Sequence, residues 1–113
     1  MNNNEVLDIV FSIDDKLEYE VSSDGIVTVL EKQDHWLQSF FRKLCFKIPL
    51  YKKVSLDKYG SYVFLEIDGN KTVKEIGNRL ESKYGKETHP LYERLLLFLN
   101  HLETNCKYIN KVS

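Results

Sequence analysis

Apolar and polar positions alternate along much of the first half of the chain and recur every three or four residues along the second. Glu18-Tyr19-Glu20-Val21 alternates, Ser22-Ser23-Asp24-Gly25 supplies a turn, and Ile26-Val27-Thr28-Val29-Leu30 is rich in β-branched residues. Asp-Gly tolerates the positive φ that tight turns demand, so this stretch predicts a β-hairpin. A second extended region is expected from about Phe46 to Leu56, where Val54 and Leu56 alternate with Lys53 and Ser55 and Pro49 marks an edge or a bend. Between the two, Trp36, Phe40 and Leu44 lie four apart, as do Leu37 and Phe41, which suits a short amphipathic helix, with a strand as the alternative. Val6 to Ile13 fits neither period cleanly and reads as a strand or a short helix laid on the domain. Asn2-Asn3-Asn4 reads as a loose terminus, so residues 1–18 are set apart as an arm and residues 19–113 as the folded domain.

The second half predicts three helices. Asp57 can cap a short one over Lys58–Ile67, and Asp68-Gly69-Asn70 then breaks the chain. Thr72-Val73-Lys74-Glu75 is a capping box, in which hydroxyl and carboxylate satisfy two orphan amides reciprocally. The helix it opens places Val73, Ile76, Gly77, Leu80 and Tyr84 on one face and stops at Gly85. Thr88-His89-Pro90 is expected to open the third, running to about Asn105, with Pro in the first turn where its missing N–H costs nothing. A short extended tail, Lys107 to Val112, follows.

That third helix is the most informative. At about 100° per residue, Leu91, Leu95, Phe98, Leu99 and Leu102 form a stripe about 100° wide, enough to seat it on a core. Tyr92 and Leu96 extend the apolar surface past the stripe, and Leu97 falls on the far side near Arg94 and His101. A helix so widely apolar is either deeply buried or shares a second face with a partner. Strands followed by helices fit an α+β domain of winged helix-turn-helix-like form, which commonly reads DNA. Base readout needs Arg, Lys, Asn or Gln projecting from the reading helix. Here it offers one Arg and one Asn among leucines and two acids, which suits DNA poorly.

Composition narrows the function further. At 113 residues, 42% hydrophobic and 29% charged, the chain is one globular domain by length. Sixteen basic and seventeen acidic side chains leave a formal charge of −1, without the basic excess of a dedicated nucleic-acid binder. No apolar run approaches the roughly 20 residues that span a bilayer, and the start lacks the positive region of a secretory signal, so a cytoplasmic protein is expected. Cys45 and Cys106 are far apart and read as buried or half-buried free thiols. His35, His89 and His101 do not join cysteines or carboxylates at metal-ligand spacing, and no phosphate loop, nucleophile elbow or His-Glu-x-x-His is present. Neither a catalytic constellation nor a cofactor is indicated.

Taken in order, Leu56-Asp57, the aromatic Tyr59, Tyr62 and Phe64, Asp68-Gly69, Thr72-Val73, Glu75-Ile76, Leu80, Tyr84-Gly85, Glu93-Arg94-Leu95, Phe98-Leu99 and Leu102 resemble the PqqD-like family. The likeness covers roughly Tyr51 to Ile109. The family often has Gly before its closing strand, where this chain has Asn105, the next-best residue for a left-handed cap. The N-terminal half is longer than in the simplest members.

The resemblance implies a recognition element for ribosomally made, post-translationally modified peptides. Such domains capture the leader of a precursor peptide as an added β-strand and present it to a modifying enzyme, often a radical SAM enzyme. Strand addition uses main-chain hydrogen bonds for affinity and side-chain pockets for selection. The expected edge is Tyr51, Lys52, Lys53, Val54, Ser55 and Leu56, with the two lysines deterring self-pairing and attracting an acidic leader. The third helix would form the other wall, with Leu95, Leu96 and Leu99 as apolar anchors, Tyr92 beside them and Arg94 for a leader carboxylate. The alternatives are a DNA-binding regulator and a structural adaptor that dimerises through Trp36, Phe40 and Phe41.

Overall fold

The computed structural model describes residues 3–32 and 51–112. The fold is α+β, with strands leading and helices following. Helix α1 (Asn3–Leu7) precedes β1 (Phe11–Ile13), β2 (Glu18–Val21) and β3 (Val27–Lys32); β4 (Tyr51–Ser55) leads into α2 (Lys58–Glu66), α3 (Val73–Tyr84) and α4 (Leu91–Asn100), and β5 (Ile109–Lys111) closes the chain. The expected helix over Trp36–Phe46, together with Cys45, His35 and Pro49, lies outside the described residues.

Three antiparallel strands in the order β2-β3-β4 form the larger sheet. The β2–β3 hairpin forms where Asp24-Gly25 predicts it: Gly25 takes φ +81°, its amide donates to the Ser22 carbonyl at 2.9 Å, and the Ser22 amide donates to Ile26 at 2.9 Å. In register, Tyr19, Val29 and Val54 form one row and Val21, Val27 and Leu56 the next, all toward the helices. Glu18, Leu30 and Lys53 form a row on the opposite face, and Glu20, Thr28 and Ser55 another. Val27 and Val29 are fully buried.

Residues 6–13, ambiguous in sequence, contribute both a helix and a strand. β1 pairs with β5 across the length of the chain, and the Gly69 amide donates to Phe11 while the Val73 amide donates to Ile9. Phe11 is buried with Tyr108 and Ile109 in the same core as Val63, Phe64, Ile76, Leu95, Leu99 and Leu102.

The helix signals act as predicted for α2 and α3. The Asp57 carboxylate accepts from the Gly60 amide at 2.7 Å, and Thr72 and Glu75 make both bonds of the capping box. Val73, Ile76, Gly77 and Leu80 form the buried face of α3. The third predicted helix differs at both ends. Gly85–Thr88 is a separate 3-10 turn, in which the buried Thr88 hydroxyl donates to the Gly85 carbonyl at 2.7 Å, so Thr88 is not free to open α4 and the helix starts at Leu91, directly after Pro90. At the far end His101–Asn105 widens into a π turn, closed by the Cys106 amide on the His101 carbonyl at 3.0 Å. The left-handed residue is Lys107 at φ 59°, not Asn105, because the Tyr108 amide must turn back to the Leu102 carbonyl at 2.8 Å.

One buried polar side chain joins sheet to helices. Ser61 on α2 is fully buried; its Oγ accepts from the Val27 amide at 2.9 Å and donates to the Leu56 carbonyl at 3.4 Å. The Leu56 amide meanwhile donates to the Val27 carbonyl at 2.9 Å. The hydroxyl thus stands in for the second bond of a β3–β4 pair and ends the ladder where α2 begins.

Two stability predictions follow from these contacts. Ser61→Ala leaves a buried amide without its partner and weakens the fold by about 1–3 kcal/mol, read as a lower urea midpoint with an unchanged slope. Lys107→Gly removes the left-handed penalty of a side chain and stabilises by about 0.5–1 kcal/mol, visible as a rise of a few degrees in Tm.

Candidate functional site: an open strand edge beside an apolar groove

Among the described residues, β4 pairs with β3 alone, so one margin of β4 carries no strand. The direction of its backbone groups follows from the register. Antiparallel pairs alternate between bonded and non-bonded. Leu56 and Val27 are a bonded pair, so Val54–Val29 and Lys52–Glu31 are the next bonded pairs, and Ser55–Thr28 and Lys53–Leu30 lie between them. The hairpin agrees: Ser22 bonds Ile26, which makes Glu20–Thr28 and Glu18–Leu30 bonded pairs and turns Thr28 and Leu30 toward β2. The N–H and C=O of Lys53 and Ser55 therefore point outward. Lys52 and Val54 spend theirs on β3.

Beside this margin lies a groove of about 430 Å³, open along one side. Its floor is apolar, made by Leu56, Val63 and Leu80 with Leu91, Leu95 and Phe98 of α4. Ser55, Asp57, Tyr59, Arg94 and His101 stand around it. α2 approaches α4 closely here because residue 60 is glycine: a Cβ on Gly60 would sit 3.0 Å from Phe98 Cζ.

The rim is charged and well connected. Glu87 accepts from the Tyr59 hydroxyl at 2.7 Å and lies 4.0 Å from Lys58 Nζ; its backbone carbonyl accepts from Arg94 Nη1 at 3.0 Å. The hydrogen bond to Glu87 pushes the Tyr59 phenol up from its ordinary range. At the other end, His101 Nε2 sits 3.4 Å from Cys106 Sγ, and its Nδ1 3.0 Å from the Asn105 side chain. Burial, with the Glu31 carboxylate adding to it, raises the Cys106 pKa, so the half-buried sulfur is a thiol at neutral pH rather than a reactive thiolate. Among the described residues, no three His, Cys, Asp or Glu side chains gather to hold a metal ion, and no helix is long and apolar enough to cross a membrane.

Of the residues singled out from the sequence, Ser55, Leu56, Arg94 and Leu95 come together at the groove. Lys52 and Lys53 are exposed and Val54 half-buried on the adjoining strand; Tyr51 begins that strand. Leu99 is fully buried in the core, and Leu96 packs against the same core half-buried. Tyr92 turns to α3, where its hydroxyl donates to the Lys74 carbonyl at 3.3 Å and lies 3.2 Å from Asn78 Oδ1. Leu91, Phe98, Tyr59, Gly60 and His101 are groove residues that the sequence reading did not single out as a site. The first two lie on the helix stripe already assigned to the core, and only the position of α2 shows which part of that stripe stays uncovered.

The arrangement is that of an α+β domain in which, among the described residues, the last strand of the sheet has a neighbour on one side only and an apolar helix beside it. Residues 51–106, about half the chain, match the family model described as coenzyme PQQ synthesis protein D (PqqD). The chain belongs to the PqqD-like family. No curated protein and no solved structure matches it significantly.

The groove wall depends on how α4 seats on α3. A Cβ on Gly77 would meet Tyr92 Cε1 at 2.6 Å. Overpacking costs about 1–3 kcal/mol against a helix-propensity gain of about 1 kcal/mol, so Gly77→Ala is expected to destabilise. Because the clash is with one ring, the loss shrinks when Gly77→Ala is made in a Tyr92→Ala background, and a double-mutant cycle in urea measures that coupling.

Proposed function

We propose that the chain is a non-catalytic recognition domain for the leader of a ribosomally made precursor peptide. It captures the leader as an added strand along β4 and presents it, in the cytoplasm, to a peptide-modifying enzyme such as a radical SAM enzyme. Residues 19–113 act as the recognition unit, and residues 1–18 add β1 as a brace on its core. The reading is supported by family membership and by one observation above the rest: the outward amides and carbonyls of Lys53 and Ser55 beside an apolar groove. A guest strand would gain main-chain bonds at those two residues and place alternate side chains over Leu56, Leu91, Leu95 and Phe98.

The required backbone geometry permits a sharp test. Pro is tolerated in a strand where its missing N–H faces outward. Ser55→Pro removes an outward donor and spares the ladder to β3, whereas Val54→Pro breaks that ladder. Titration with the leader encoded beside this protein's gene is expected to shift amides in Tyr51–Leu56 and Leu91–Phe98 at micromolar or tighter affinity. Ser55→Pro is expected to remain folded and to lose binding at least tenfold, the equivalent of about 1.4 kcal/mol. Unchanged affinity in a folded Ser55→Pro protein contradicts strand addition on this edge.

A further inference from the structure

We infer that Lys53, and not its neighbour Lys52, is the selector of this edge, and that the strand it favours carries an acidic residue between two apolar ones. The inference rests on the strand-addition reading above and names the guest's chemistry.

The two lysines are adjacent in sequence but differ in every structural respect that matters to a guest strand. Lys52 lies in a bonded pair opposite Glu31, so its backbone is committed to β3, and the Glu31 carboxylate on that row accepts from the Tyr108 hydroxyl. Its side chain belongs to the helix-facing surface of the sheet, with Val54. Lys53 has its N–H and C=O on the open margin, and its side chain on the other surface, in the row Glu18, Leu30, Lys53. Its cross-strand neighbour on that row is Leu30, which offers no charge.

A guest residue added to the row takes the fourth place, directly beside Lys53. Adjacent strands lie roughly 4.8 Å apart, so a carboxylate there comes within ion-pair reach of Lys53 Nζ, while Glu18 is two strands away on the far side of Leu30. Side chains alternate along a strand, so the guest residues on either side of that acid point to the helix-facing surface of the sheet, the apolar side on which Val54 packs against the core and which leads to the groove at Leu56. The pattern is apolar–acidic–apolar whether the guest runs parallel or antiparallel to β4. Two positions from the acid, in either direction of the guest, a residue meets Ser55, whose hydroxyl is 3.0 Å from that of Thr28; a small polar side chain suits that place.

The test uses the full chain and two capped peptides, acetyl-Thr-Val-Thr-Val-Asp-Val-Thr-Val-Thr-amide and its counterpart with Lys in place of Asp. Affinity is measured by fluorescence anisotropy and the site by amide shifts. The acidic peptide is expected to bind about 3- to 5-fold tighter than the basic one, the range of an exposed ion pair. Lys53→Glu is expected to reverse that order, and Lys52→Glu to leave it in place. If both peptides shift the Lys53 and Ser55 amides but bind equally, or if Lys52→Glu is the variant that reverses the order, the selector assignment is overturned while strand addition stands. If neither peptide shifts those amides, both are overturned. Added salt should narrow the preference without abolishing binding, which separates selection by charge from affinity through the backbone.

Discussion

The hydroxyl of Ser61 holds the architecture together at its most consequential point. At the last β3–β4 pair the Leu56 amide bonds Val27 directly, but the return bond runs through Ser61, fully buried on α2. A ladder that continued would carry β4 onward beside β3. A hydroxyl in its place ends the sheet and starts a helix within two residues, with Asp57 capping it on Gly60. From that fixed junction α2 runs over the sheet, with Phe64 edge-on to Tyr19 at 4.9 Å, and α3 and α4 pack behind it. The groove is the space left where α2, so anchored, meets α4.

The same junction accounts for the division of labour on β4. Register and the direction of every main-chain group on the strand follow from the Val27–Leu56 pair, so the outward set at Lys53 and Ser55 is a consequence of how the ladder ends. An unpaired edge is a liability, and exposed lysines on it discourage pairing with a second copy. The structure gives those lysines different backbones, Lys52 in a bonded pair with Glu31 and Lys53 with its N–H and C=O turned away from β3. In the proposed function, stability and recognition therefore draw on neighbouring residues of one short strand without competing for the same atoms.

Local signals in the chain were legible because their partners are close in sequence. Asp24-Gly25, Asp57 with Gly60, and Thr72 with Glu75 each satisfy a group no more than four residues away, and each forms as expected. Signals that depend on distant partners were not. The β1–β5 pair joins the two ends of the chain, and nothing in Val6 to Ile13 announces a strand that short. Ser61 reads as a neutral helix residue until Val27 is placed beside it. The stripe on α4 shows that Leu91, Leu95, Phe98 and Leu99 share a face, but not that Leu95 and Leu99 enter the core while Leu91 and Phe98 stay half-buried along the groove. Thr88 resembles a helix cap, yet its hydroxyl is taken by Gly85, and a left-handed residue at Lys107 carries no composition signal because lysine does not favour that conformation.

Hydrogen exchange on the intact chain, with and without its precursor peptide, examines the outward backbone directly. In the free protein the amides of Val54 and Leu56 should exchange slowly and those of Lys53 and Ser55 fast; adding the peptide should slow Lys53 and Ser55 and leave the other two as they were. Slow exchange at Lys53 and Ser55 before any peptide is added would mean that the chain's own backbone already fills the margin, and the recognition account would fail.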